Sequence, residues 1–278
     1  MTGVAVIAGL TCREAARRRL LAVAAAIGSA YLLLYGFGLH KVLESLPGAA
    51  SRQLLFRRQA VIVLFAMGMY VVNWLLAVIT ILTSADTIAG EINSGIIQAV
   101  VTKPIRRWEV LFGKWLGFAA MLTVYLAFLA GGMLIEVRLI GGHTPSHVPE
   151  AIGLMWLESM LLLAVTFRFG ASLSTLATGV AVFGLHILAF LGGWVEEFGW
   201  LAHSQTAMDL GVLASVVMPS ESLWRRAAFE LQGPVIGSFG RGPFSIGSVP
   251  SAWMVLYAGV YLATALALAI RTFSRRDL

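Results

Sequence analysis

The sequence predicts an all-α polytopic membrane protein. Of its 278 residues, 59% are apolar and only 12% are charged, and the mean hydropathy is +0.85. Soluble domains carry roughly twice that share of charge. Uncharged runs of 20 residues or more recur along the chain, and a helix rising about 1.5 Å per residue needs such a run to cross a hydrocarbon core about 30 Å thick. Runs of this length favour helices over the strands of about ten residues that build membrane barrels.

Six segments are expected to cross the membrane, and together they form one domain over residues 1–278. Five are uncharged, and the fourth contains one carboxylate, Glu158. The predicted spans are residues 20–39, 60–85, 115–135, 151–167, 169–195 and 251–270. The first run is too long for the apolar core of a signal peptide, so we expect it to be retained.

Lysine and arginine indicate the orientation of these spans. With the N-terminus in the cytoplasm, the segments on that side carry twelve basic residues and the outer segments carry eight, three of them on one long loop. Because basic residues favour the cytoplasmic side, we expect both termini there. The net charge of +6 is attributed to these flanking residues and their contact with membrane lipids, and no pattern indicates nucleic-acid binding.

Residues 1–19 are expected to form a short interfacial elbow helix ahead of the first span. Thr11 and Glu14 have the spacing of a capping box, and Arg17 and Arg18 stand at the membrane boundary. The alternative is a cluster of arginines that only orients the first span.

The cytoplasmic loop at residues 86–114 contains the most patterned polar stretch of the first half, "EINSGIIQAVVTKPIRRWEVLFGK". Ile96, Ile97, Val100 and Val101 share one face of a short amphipathic helix, and Pro104 ends it because proline has no amide hydrogen to donate. A helix this short cannot span the membrane. We expect it to lie at the cytoplasmic surface with its polar side available to a soluble partner.

Three polar side chains inside the spans are candidates for a transport pathway, since such groups are costly to hold in hydrocarbon. They are Asn73, Glu158 and His186. Each also has a structural interpretation: Asn73 would bond a neighbouring backbone, Glu158 would face a water-filled cleft or pair with Arg138, and His186 would pack within the bundle.

No catalytic, cofactor or metal site is expected in the chain. The five histidines are scattered and there is a single cysteine, so neither a disulfide framework nor a convergent ligand set is indicated. Residues 196–250 combine an apolar stretch, a proline and an amphipathic helix with a Gly- and Pro-rich end. This external segment is compatible with a re-entrant cap or with a surface lid.

At the loop the residues carry a family resemblance. The spacing E-x3-G-x8-P-x2-R-x6-K, formed by Glu91, Gly95, Pro104, Arg107 and Lys114, resembles the loop between helices two and three of ABC type-2 exporter permeases. It is similar to the permease group of nitrous-oxide-reductase maturation. In that family the loop forms a coupling helix that docks on a separate ABC ATPase subunit.

The resemblance implies the transmembrane permease subunit of an ATP-driven exporter in the plasma (inner) membrane of a prokaryote. It implies a second permease chain, identical or related, and two ATPase copies, with ATP and Mg bound on the ATPase. The chain lacks a G-x4-G-K-[ST] phosphate loop of its own, so we expect a transport subunit and not an enzyme. The alternatives are a stand-alone proton-coupled secondary transporter using Glu158 and a non-transporting membrane maturation factor.

Overall fold

A computed structural model describes residues 3–17, 19–46, 51–93, 106–142, 147–232 and 249–275. Over these residues the chain forms α-helices and no strand. The helices are α1 (Gly3–Arg17), α2 (Arg19–Ser45), α3 (Ser51–Asn93), α4 (Arg107–Glu136), α5 (Val148–Gly170), α6 (Thr175–Leu201), α7 (Gln205–Val217), α8 (Ser220–Gln232) and α9 (Ala252–Arg275). A π-helical turn, Val137–Gly141, continues α4. Six helices, α2 to α6 and α9, are long and apolar enough to cross a membrane, which confirms the predicted all-α polytopic fold.

The helices extend beyond the apolar runs that predicted them. The second span, expected at residues 60–85, belongs to a helix of 43 residues. A helix bonds its own backbone, so it continues into polar flanks where lipid no longer restricts composition. Between the fourth and fifth spans, α5 ends at Gly170 and α6 begins at Thr175. The expected fifth span, 169–195, therefore began too early, because the turn at residues 171–174 is uncharged and does not interrupt the apolar run.

Successive spans alternate in direction, so their ends lie on two faces of the bundle. One face carries the end of α3, the start of α4, residues 171–174 and the end of α9, and we call it the terminal face. The opposite face is called the distal face. The third and sixth spans, α4 and α9, meet at the terminal face, because Arg107 Nη1 donates a hydrogen bond to the Ser274 carbonyl at 3.4 Å. The assignment of the terminal face to the cytoplasm remains a prediction.

Helix α5 is the central column of the bundle. All residues from Glu158 to Phe167 are buried, and α5 packs against α3, α4, α6, α8 and α9. A helix buried all round lies within protein and not against lipid. Glu158 therefore sits inside the subunit.

Helix α1 follows the first third of α4 in the same direction. A Cβ added at Gly113 would lie 3.0 Å from the Val4 carbonyl oxygen, and one added at Gly117 would lie 2.8 Å from Thr11 Cβ. Thr11 does not cap a helix as expected, because α1 already begins at Gly3 and the Thr11 hydroxyl donates to the Ile7 carbonyl at 2.9 Å.

Two of the elbow residues have no described side chain. Arg18 and the side chain of Arg17 lie outside the described residues, while Glu14 is exposed on α1. The interfacial position of this helix remains a prediction.

Helices α7 and α8 form a hairpin that folds back into the bundle from the distal side. Helix α7 runs back along α6, with Gly199 against Ala207 and Gly192 against Ala214. Glycine is needed at these crossings, since a Cβ at Gly199 would lie 2.8 Å from Ala207 Cβ. Helix α8 then begins beside His186, near the middle of α6. The tip of the hairpin therefore lies inside the helical bundle, and the choice between a re-entrant cap and a surface lid for residues 196–250 remains a prediction.

The tip of the hairpin is fastened to the last span. The hydroxyl of Tyr257 donates to the Val216 carbonyl at 2.6 Å, and that of Tyr261 donates to the Val217 carbonyl at 3.0 Å. Both carbonyls belong to the last turn of α7, where a helix leaves its carbonyls without internal partners. Two tyrosines thus satisfy backbone groups that lipid could not.

Candidate functional site

A buried polar cluster forms where α8 meets α3, α5 and α6. The Asn73 amide Nδ2 donates to Glu158 Oε2 at 3.0 Å, and both side chains are buried. The other Glu158 oxygen, Oε1, has no hydrogen-bond partner among the described residues. Asn73 thus bonds a carboxylate instead of the backbone we expected, and the alternative pairing of Glu158 with Arg138 is wrong because Arg138 is exposed at the distal end of the bundle.

His186 joins the same region through the first residue of α8. Its Nδ1 lies 3.0 Å from the hydroxyl oxygen of Ser220, and its ring meets Trp74 edge-on with 5.2 Å between centroids. Both His186 and Ser220 are buried. Trp74 adjoins Asn73 in sequence, so its contact with the His186 ring brings His186 close to the bonded pair of Asn73 and Glu158. The three pathway candidates, Asn73, Glu158 and His186, therefore lie together around the start of α8.

Glu221, the second residue of α8, brings another carboxyl to the cluster. Burial raises the pKa of Glu221 well above its ordinary value of 4.5, the charge of Glu158 adds to the rise, and Arg225 opposes it. A carboxyl with a raised pKa favours the protonated form, which is the less costly one in a site of low polarity. The sequence interpretation did not single out Glu221, because it stands in a segment assigned to the exterior.

Arg225, one turn further along α8, ties the hairpin to α6. Its Nη1 donates to Glu196 Oε2 at 2.6 Å, and its Nη2 lies 3.8 Å from Glu197 Oε2. The Arg225 and Glu196 side chains are 8% and 10% exposed, so this pair is held largely away from water. Its sequence signal is the acid pair in "WVEEFGW" together with the arginines of "SLWRRAA"; the sequence interpretation used these arginines only to orient the spans.

The cluster as a whole joins the hairpin of α7 and α8 to three spans within one subunit. Among the described residues no three His, Cys, Asp or Glu side chains gather as a metal site would require. Its hydrogen bonds and ion pair can position α8 and hold a proton on a carboxyl.

The predicted coupling residues flank the terminal face. Arg107 and Lys114 lie on the first turns of α4, and Lys114 is buried despite its charge. The Glu109 carboxylate accepts a hydrogen bond from the Arg106 amide at 3.2 Å, which satisfies one free donor at the start of α4. Gly95, Pro104 and the side chain of Glu91 lie outside the described residues.

Sequence reasoning missed the packing motif at the start of α4. Gly113 and Gly117 are four residues apart, a spacing that lets two helices approach closely, and both contact α1. Cys12 Sγ donates to the Gly117 carbonyl at 3.3 Å across the same contact. The G-x3-G pattern was visible in "GKWLG", where the glycine had been considered only as part of an absent phosphate loop.

Comparison with known families identifies this architecture. The family model described as ABC-2 family transporter protein matches residues 11–278, a range that holds all six spans. The chain belongs to the ABC-2 transporter family. It is therefore an integral, multi-pass membrane permease component of an ABC transporter, and permeases of this family normally work with an ABC ATPase. No curated protein matches the chain, and its similarity to the nitrous-oxide-reductase maturation group remains a prediction.

Proposed function

We propose that this ABC-2 permease is the transmembrane subunit of an ATP-driven exporter and is coupled to a separate ATPase through residues 91–114. The observation that carries the proposal is the family match over residues 11–278. It is supported by the predicted coupling motif of Glu91, Gly95, Pro104, Arg107 and Lys114. The chain lies in the plasma membrane of a prokaryote with both termini, and hence the terminal face, in the cytoplasm.

The helices on either side of residues 94–105 support a mechanical role for this segment. It connects α3 directly to α4, and these are the second and third spans. Helix α4 in turn contacts α1 through Gly113 and Gly117 and the end of α9 through Arg107. A force applied to this segment would therefore act on α3 and α4 directly, and on α1 and α9 through their contacts with the first turns of α4.

The working assembly contains two permease chains and two ATPase subunits. The second permease is either a copy of this chain or a related one. ATP and Mg are bound and consumed on the ATPase, whose closure moves the coupling segments together and switches the spans between inward-open and outward-open states.

Co-purification tests the coupling. A tagged ABC ATPase from the same operon should retain this chain, and Glu91→Arg should weaken retention about ten- to hundredfold, the range expected from losing one charge-assisted hydrogen bond. The matched control is Glu44→Arg, which makes the same change at an exposed residue near the distal end of α2. Equal retention of parent and Glu91→Arg would refute the assigned role of this residue.

Transport in proteoliposomes tests the rest of the proposal. ATP-dependent release of a fluorescent amphipathic substrate should require both proteins. A membrane maturation factor would hold the ATPase yet stimulate no transport.

Glu158 is the observation that favours the second candidate, a proton-coupled carrier. Its carboxyl is buried in the subunit with one oxygen unpartnered among the described residues, and intramembrane carboxylates often carry protons in transporters. A carrier of this kind would transport without any ATPase on an imposed proton gradient, and Glu158→Gln would abolish that transport. The exporter should show no such activity.

A further inference from the structure

A basic cleft opens on the terminal face between the end of α5 and the last turns of α9. It has a volume of about 530 Å³ and is lined by Ala171, Ser172, Leu268, Arg271, Thr272 and Arg275. Small-molecule sites occupy roughly 300–1,000 Å³, so the cleft can admit the head of an amphiphile. None of these residues belongs to the polar cluster or to the predicted coupling motif.

The α9 wall of the cleft changes from apolar to basic along the helix. Leu268, Arg271, Thr272 and Arg275 are spaced i, i+3, i+4 and i+7, so they share one face of α9. Leu268 is 42% exposed and lies toward the membrane interior, while Arg275 ends the helix. At about 1.5 Å per residue, the face from Leu268 to Arg275 is about 10 Å long. A lipid can therefore place its phosphate at the basic end of this face and the upper part of its acyl chain at the apolar end.

The opposite wall adds hydroxyl and cationic donors. Arg168 Nη1 donates to the Ser172 hydroxyl at 3.0 Å, so a third guanidinium lies beside the cleft. Arg271 and Arg275 are exposed, and neither forms an ion pair with a described residue. Guanidinium groups with free donors bind phosphate oxygens in a fork geometry.

We propose that this cleft binds the phosphate of an anionic phospholipid, held between Arg271 and Arg275 with its acyl chain along Leu268. Ser172 and Thr272 donate further hydrogen bonds to the headgroup. The apolar end of this α9 face is what favours a lipid over a free phosphate, which would gain nothing from Leu268. The site is independent of the proposed ATPase coupling.

Lipid binding by the purified full-length chain tests the proposal. In native mass spectrometry, the parent should retain phosphatidylglycerol in preference to phosphatidylcholine. Arg271→Gln should weaken phosphatidylglycerol binding about fivefold, and Arg271→Gln with Arg275→Gln about thirtyfold, the factor expected when each cation near an anionic surface is removed. Glycerol phosphate, which carries the same phosphate without acyl chains, should compete poorly.

Matched variants separate a specific site from general charge and from misfolding. Arg138→Gln removes an exposed arginine at the other end of the bundle and should leave the lipid preference unchanged. Arg271→Lys with Arg275→Lys should recover most of the binding, and all variants should melt at the parent temperature in phosphatidylcholine.

If Arg138→Gln and Arg271→Gln with Arg275→Gln lost phosphatidylglycerol binding equally, the proposed site would be overturned. If glycerol phosphate competed as strongly as the lipid itself, a phospholipid would be overturned as the occupant of the site. Unchanged lipid binding together with lost ATPase retention in the double variant would assign the cleft to the protein partner and also overturn the proposal.

Discussion

Replacing Arg225 by methionine should loosen the hairpin formed by α7 and α8. The change removes the guanidinium that lies 2.6 Å from Glu196 Oε2 and 3.8 Å from Glu197 Oε2, and leaves two carboxylates facing an apolar side chain. Breaking a buried ion pair from one side costs about 3–5 kcal/mol. Glu196 lies five residues before the end of α6, about 7.5 Å along the helix, and Glu197 is 24% exposed. Water can therefore reach these carboxylates in part, and we expect a loss near the lower end, about 3 kcal/mol.

A double-mutant cycle isolates the pair from the packing of α8. Glu196→Gln alone should cost less than Arg225→Met, because Arg225 still has Glu197 within reach. The combined variant should be more stable than Arg225→Met alone, since the carboxylate closest to the lost guanidinium is then a neutral amide. Unfolding of the purified chain by SDS in mixed micelles gives the free energies, and hydrogen exchange over residues 220–232 reports on α8 directly. Simple addition of the two single losses, or unchanged exchange in α8, would refute the reasoning.

Three further predictions concern the polar cluster and the α1 contact. Because the folded state holds the Glu221 proton more tightly than the unfolded chain, the stability that this proton contributes is complete below about pH 4.5 and is lost as the pH rises through the raised folded pKa. Glu221→Gln should therefore flatten the fall in Tm that the parent shows as the pH rises above about 4.5, and parallel profiles would contradict this. Gly117→Val should lower the free energy of unfolding by about 1–3 kcal/mol, because the larger side chain overpacks against α1. The control Gly131→Ala, whose added Cβ meets nothing within 4 Å, should leave Tm unchanged or slightly higher. Asn73→Leu should lower the free energy of unfolding by about 1–3 kcal/mol, because the Glu158 carboxyl loses its amide donor. An SDS unfolding curve that matches the parent would exclude the bond between Asn73 and Glu158 as a stabilising contact.

The six spans could be predicted because lipid imposes a composition that water does not. An uncharged apolar run of about 20 residues or more is rarely found outside membrane-spanning helices, so the location of each span was evident from the sequence alone. Helix ends were less predictable, as the uncharged turn at residues 171–174 and the long polar flanks of α3 illustrate. There the chain is in an environment that tolerates both helix and turn.

The pairings in the cluster could not be predicted, although some of its members were. Asn73 and Glu158 each stood out as costly polar groups within a span, but they are 85 residues apart in sequence. Only the packing of α3 against α5 brings them into contact. Arg225 and Glu221 were missed for another reason: the segment that contains them has the composition of an external loop, so its buried charges resemble ordinary surface charges.

Helix α9 is connected at two depths. In its distal half two tyrosines donate hydrogen bonds to the carbonyls of Val216 and Val217 at the hairpin tip, and at the terminal face its Ser274 carbonyl accepts a hydrogen bond from Arg107. The 18 residues from Tyr257 to Ser274 make a rigid rod about 25 Å long. If α4 shifts at the terminal face while these three bonds persist, the rod must tilt and carry the hairpin tip with it. Under the proposed ATPase coupling, a movement of α4 would then reach the hairpin tip through one rigid element, without any signal having to pass through the side chains of the bundle core.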